Sequence, residues 1–265
     1  MSRNPRTLVK VGAIGVASAL MLWAGSASAT TADAPWSYTG ATGPSHWGSL
    51  SPAYALCADG TAQSPINIQH AKPKPLKNLD FDYVAGEAEV FNNGHTVEAE
   101  PAPGDKPSTL ELGNVDYTFS QFHFHSPSEH TINGKHYPVE IHFVNKSADG
   151  RIAVVGVFVK LGAPADKDWQ KFIDVISQAT ANPEQTVIHK INWGKLLPTH
   201  QQTVRYDGSL TTPGCSEGVK WSVMTHPITM SAQQIAVFEA AYTGNVRPTQ
   251  PLNGRTVLID STPSH

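Results

Sequence analysis

Gln121-Phe122-His123-Phe124-His125 alternates polar and aromatic residues without a break. In a strand, alternate side chains share a face, so Gln121, His123 and His125 point one way and Phe122 and Phe124 the other. Working outward, the run closes a strand-like stretch over 115–124 that is rich in β-branched and aromatic residues. Similar stretches lie at 81–84, 87–91, 96–99, 137–144 and 152–160, and again at 187–191, 203–206, 219–230 and 256–259. Helical signals are few: 168–180 and 231–242, the second with Ser231 as its N-cap. Many strands and few helices predict a mainly β, α+β chain with a mostly antiparallel sheet core and helices at its margins. Lys72-Pro73-Lys74-Pro75 reads as an extended surface connection, because alternating prolines remove backbone donors.

No repeat, low-complexity tract or linker divides the chain after residue 29, and 30–265 reads as one domain. Residues 30–35 read as a flexible lead-in and 261–265 as a frayed tail. Before them, Arg3, Arg6 and Lys10 precede an apolar run over 11–24 and the small residues Gly25-Ser26-Ala27-Ser28-Ala29. That is the layout of a cleaved signal peptide over 1–29, and the run is shorter than the roughly 20 residues of a membrane span. Export to the periplasm or the medium follows, with no span left after cleavage. Cutting after Ala29 leaves 236 of 265 residues and removes three of 19 basic and none of 22 acidic residues, moving the formal charge from −3 to −6. That balance speaks against nucleic acid as a partner. Cys57 and Cys215 are the only cysteines; in an oxidising compartment a pair is normally bridged, while two free buried thiols remain the alternative.

A second run, Val139-Glu140-Ile141-His142-Phe143-Val144, puts Glu140, His142 and Val144 on one face. If the two runs pair, His142 joins His123 and His125 in a three-histidine metal site. Neutral imidazoles leave the whole double charge on Zn²⁺, and a fourth, open position keeps a water available for chemistry. A His-x-His pair alone is weak grounds for a metal. Gln121 and Glu140 on the same faces strengthen it, since ligand histidines need a partner for their other nitrogen.

The run Gln121–His130, QFHFHSPSEH, followed by Glu140-Ile141-His142, resembles the zinc-site sequence of alpha-class carbonic anhydrases. So do Gln63-Ser64-Pro65-Ile66-Asn67-Ile68, Asn92-Asn93-Gly94-His95, the run YDGSLTTP from Tyr206 to Pro213, and NVRPTQPLN from Asn245 to Asn253. The matches span roughly 36–260 in family order. The resemblance implies a large twisted central sheet, Zn²⁺ on His123, His125 and His142, and reversible hydration of carbon dioxide to bicarbonate by hydroxide on the zinc. It implies that Thr211 and Glu129 orient that nucleophile and that His95 relays protons. Gln121, Glu140, Asn245 and Tyr206 would surround the ligands, with the Asn245 carbonyl on His125. Val144, Val154, Leu210, Thr212 and Trp221 would line the substrate pocket, and Cys57 and Cys215 would pair as in exported members. A side activity on activated esters fits the same chemistry, and a homodimer stays open. Two rivals are a zinc-free binding relative and another zinc hydrolase. Ser126-Pro127-Ser128, where animal members have Trp-Gly-Ser, and Gly214 after Pro213 depart from the animal pattern without removing a catalytic group.

Overall fold

The computed structural model describes residues 34–165, 167–181 and 186–262; the expected signal segment, 1–29, lies outside them. Among the described residues, thirteen strands join one sheet. Its central path runs through Thr186–Asn192, Ala85–Asn92, Val97–Pro101, Val115–His125, Val139–Ser147 and Ile152–Leu161. It continues through Glu217–Met224, Thr203–Ser209, Leu258–Asp260 and Lys72–Lys74. Pairing is antiparallel except where Ile152–Leu161 meets Glu217–Met224 and Ile228–Met230, and where Leu258–Asp260 meets Lys72–Lys74. The sheet is therefore mixed and mainly antiparallel.

One irregularity decides where the histidines point. The register between Val115–His125 and Val139–Ser147 shifts between Phe119 and Gln121. Before the shift Tyr117 and Phe119 enter the main core; after it Phe122 and Phe124 do. One extra residue reverses which parity faces inward, so Gln121, His123 and His125 emerge on the opposite face.

The main core fills one face. Helix Lys167–Ala181 contributes Trp169, Phe172, Ile173 and Ile176, at helical spacing, and helix Ala232–Ala241 adds Ile235 and Phe238. Each such burial contributes about 1.5–3 kcal/mol. Ser231 caps the second helix as predicted: its hydroxyl accepts from the Gln234 N–H at 3.2 Å, and the Gln234 side chain accepts from the Ser231 N–H at 3.0 Å. A smaller cluster on the other face gathers Ile66, Val144, Val154, Tyr206, Trp221 and Val223.

Three expectations need correcting. Lys72–Lys74 is no mere connection; it pairs at the sheet edge, where proline and lysine are tolerated. The stretch 219–230 breaks into Glu217–Met224 and Ile228–Met230, with Pro227 in the gap. The ends are partly tied down: Ala34 accepts from the Tyr54 hydroxyl at 3.0 Å, and the Ser261 N–H donates to Lys74 at 3.0 Å.

Candidate metal centre

Strand pairing sets His123 directly opposite His142, with His125 two residues along on the same face. Ring centroids are 5.1 Å apart for His123–His125, 5.3 Å for His123–His142 and 4.7 Å for His125–His142. One nitrogen from each ring lies within 4.8 Å of the others. His125 and His142 are buried and His123 is partly exposed, so the cluster reaches solvent on the His123 side.

The outer nitrogens have protein partners. Gln121 Oε1 lies 2.9 Å from His123 Nδ1, and the Asn245 carbonyl lies 2.7 Å from His125 Nδ1. Glu140 Oε1 comes within 3.0 Å of His142 Nε2, but that nitrogen makes no directed hydrogen bond. The carboxylate therefore acts on His142 mainly through its charge. Burial alone would raise the Glu140 pKa, yet His130 and His142 outweigh it and hold the carboxyl well below its usual range. His123 is held well below the ordinary histidine value by burial first, then by His125 and His142. His125 is lowered by burial, against the opposing pull of Glu129. Neutral imidazoles keep lone pairs free for a metal.

A zinc ion fits this donor set. The His125 Nε2 is fully buried and has no hydrogen-bond partner, a costly state for a polar atom unless a ligand relieves it. Three histidines are a known catalytic zinc set. His130, Glu140 and His142 also lie close together, but both His130 ring nitrogens are occupied, Nδ1 by Glu140 at 2.7 Å and Nε2 by the Tyr206 hydroxyl at 2.7 Å.

Two of the remaining sequence-predicted residues, Glu129 and Trp221, lie against this cluster. Glu129 is fully buried; its Oε1 accepts from the Arg247 N–H at 2.8 Å. Its Oε2 has no hydrogen-bond partner and lies 3.5 Å from His125 Nε2 and 3.9 Å from His142 Nδ1. This oxygen makes no hydrogen bond to Thr211. Thr211 is buried in the loop after Thr203–Ser209, with Leu210 and Thr212 half-buried beside it. The Cys57–Cys215 disulfide is formed, and the Cys215 N–H donates to Thr212 at 2.9 Å, tying that loop. Trp221 stands edge-on to His142 at 4.8 Å, on the face it shares with Val144 and Val154. His95 is stacked on Trp36 with centroids 3.6 Å apart, and its carbonyl accepts from Asn245 Nδ2 at 3.2 Å.

Sequence reasoning gave no role to His130, Arg247, Ser64 or Trp36. Tyr206 links His130 to the Ser64 hydroxyl at 2.8 Å, and Arg247 donates to Gln63, Ser64 and Cys57. His130, Arg247 and Ser64 sit inside runs already quoted, but spacing alone assigns them nothing.

A family profile described as "Eukaryotic-type carbonic anhydrase" matches residues 42–261. The carbonic anhydrase of Pectobacterium carotovorum is 41% identical over 91% of this chain and 97% of its own. The alpha-carbonic anhydrase of Thermovibrio ammonificans, solved with the inhibitor sulfanilamide, superposes with a TM-score of 0.78 at 40% identity, covering 85% of this chain and 99% of that one. Dioscorin complexed with ascorbate reaches the same TM-score at 30% identity, covering 87% of this chain and 100% of its own. Profile, identity and histidine cluster together, not fold alone, carry the family assignment. The chain belongs to the alpha-class carbonic anhydrases, zinc enzymes that reversibly hydrate carbon dioxide to bicarbonate.

Proposed function

We propose that His123, His125 and His142 hold the zinc and that the side chains around them divide the work of carbon dioxide hydration. The observation that carries this reading is the convergence of three ring nitrogens within 4.8 Å, with Gln121 and Asn245 holding the outer nitrogens of two rings. When bound, zinc supplies the Lewis acidity that makes water nucleophilic near neutral pH. With zinc on the histidines, Glu129, fixed at Oε1 by the Arg247 N–H, would accept the Thr211 hydroxyl proton as a hydrogen bond at Oε2, the oxygen that has no partner here. Thr211 Oγ1 is then obliged to accept from the attacking water, which orients it. Val144, Val154, Leu210, Thr212 and Trp221 supply a largely apolar wall against which carbon dioxide rests. His95, lowered by burial, is neutral at neutral pH and takes up the released proton for delivery to solvent. The same site attacks activated esters as a side reaction.

We place this work outside the cytoplasm. The signal-like residues 1–29 and the Cys57–Cys215 disulfide support export, because disulfides persist in oxidising compartments. The deciding experiment is His142→Ala with zinc analysis and a hydration assay. Zinc content and activity should both collapse; retained zinc with full activity means that the ligand set is wrong.

A further inference from the structure

Tyr206 and Trp221 point to the zinc side of the sheet, towards His130 and His142. Their strand neighbours must point the other way. There Arg205 sits opposite Ser222 and Asp207 opposite Lys220. These residues line a cavity of about 520 Å³ on the reverse face, within the roughly 300–1,000 Å³ of small-molecule sites.

Three features of the cavity point to one kind of ligand. Lys77, Arg151, Arg205 and Lys220 line it against a single lining carboxylate, Asp207, in a chain whose formal charge is −3. The acids that pair with Lys77, Arg151 and Arg205, namely Glu111, Asp149 and Asp260, are not part of the lining. Arg205 spends Nε on Thr203 at 2.8 Å and Nη2 on Asp260 at 3.2 Å, which leaves Nη1 for a ligand. Ser222 is 1% exposed, and its hydroxyl has no hydrogen-bond partner. A buried hydroxyl left unpaired costs about 1–3 kcal/mol, and a ligand acceptor relieves it. Leu112 and Leu258 add apolar wall.

We propose that this reverse-face cavity binds a small organic anion with an apolar body, an aromatic or short-chain carboxylate or sulfonate. The charge rests beside Arg205, whose Nη1 is uncommitted, with Lys220 adding its field from the pair it makes with Asp207 at 2.6 Å, and the body lies against Leu112 and Leu258.

The test titrates the full zinc-loaded protein calorimetrically with naphthalene-2-sulfonate and with neutral 2-naphthalenemethanol. The sulfonate should bind at one site and the alcohol at least tenfold more weakly, the worth of one charge-assisted hydrogen bond. The exposed double variant Arg151→Glu/Lys220→Glu should cut sulfonate affinity about tenfold or more. Ser222→Val, which removes an unpaired hydroxyl and so should fold, should also weaken binding. Chelating the zinc should leave the affinity unchanged. Equal binding of the alcohol, or insensitivity to these variants, overturns the proposal. So does loss of binding on chelation, which would put the probe at the histidines. A dimer that the charge reversal dissociates would make this face an interface between copies and overturns it too.

Discussion

Glu140 holds His130 at two points: Oε2 accepts from the His130 backbone N–H at 2.8 Å, and Oε1 lies 2.7 Å from its ring Nδ1. The same Oε1 is 3.0 Å from His142 Nε2. One buried carboxylate thus holds the His130 ring in place while its charge, close to His142, makes that ring a stronger donor.

Replacing that charge should therefore be felt at the metal before it is felt in the fold. Glu140→Gln keeps the volume and one acceptor. Zinc affinity should fall about 10- to 100-fold, read by competition with a chromophoric chelator, while near-ultraviolet dichroism stays native. Unchanged affinity would show that Glu140 serves packing alone.

The disulfide makes a separate claim on stability. Cys57 and Cys215 are 158 residues apart in sequence, and the ends they join also bond through Arg247 to Cys57 and Gln63 to Cys215, each at 3.0 Å. Cys57→Ala/Cys215→Ala should lose about 2–5 kcal/mol of unfolding free energy in urea. The wild-type chain in strong reductant should lose a similar amount. If neither midpoint moves, polar contacts alone hold the Thr212 loop.

His95 owes its lowered pKa to burial, and its ring lies flat against Trp36 at 3.6 Å. Trp36→Ala opens that face to water. The His95 pKa should rise towards the ordinary value of about 6.5, followed by histidine proton resonances against pH. The alkaline shift should also appear in the pH profile of hydration where proton release limits the rate. A His95 resonance that titrates as before would show that another group buries the ring.

Much of this architecture can be read from local pattern, because strand alternation is local. Gln121–His125 and Val139–Val144 show their two-faced character in the residues themselves, and the helix after Ser231 announces its cap. Relationships across the sheet are not local. His142 joins the site only because the register sets it opposite His123, whereas the shift before Gln121 is written in the sequence, where the apolar residues change parity from Tyr117 and Phe119 to Phe122 and Phe124 across Ser120-Gln121. Trp36 and His95 are 59 positions apart, and Glu140 earns its second ring through a bend that brings His130 back on it. The missing donor of proline bars Lys72–Lys74 from a central strand, but an edge position asks less of it.

Glu98 gives the sharpest pH test. It pairs in register with His123 and is pushed up to about 7, by burial first and then by Glu100. A carboxyl whose folded pKa is raised binds a proton that the unfolded chain has released. Stability therefore falls as pH climbs from roughly 4.5 to 7, and the penalty is complete above that window. Glu98→Gln removes it. In zinc-free protein the variant should match wild type near pH 4 and exceed it by on the order of 1 kcal/mol near pH 8, a figure reduced for partial exposure. Adding zinc should shrink the gap, because a divalent cation near His123 draws the carboxyl back down. Urea unfolding at the two pH values reads the difference directly. A gap equally large at pH 4 would trace the gain to packing and leave the carboxyl at an ordinary pKa.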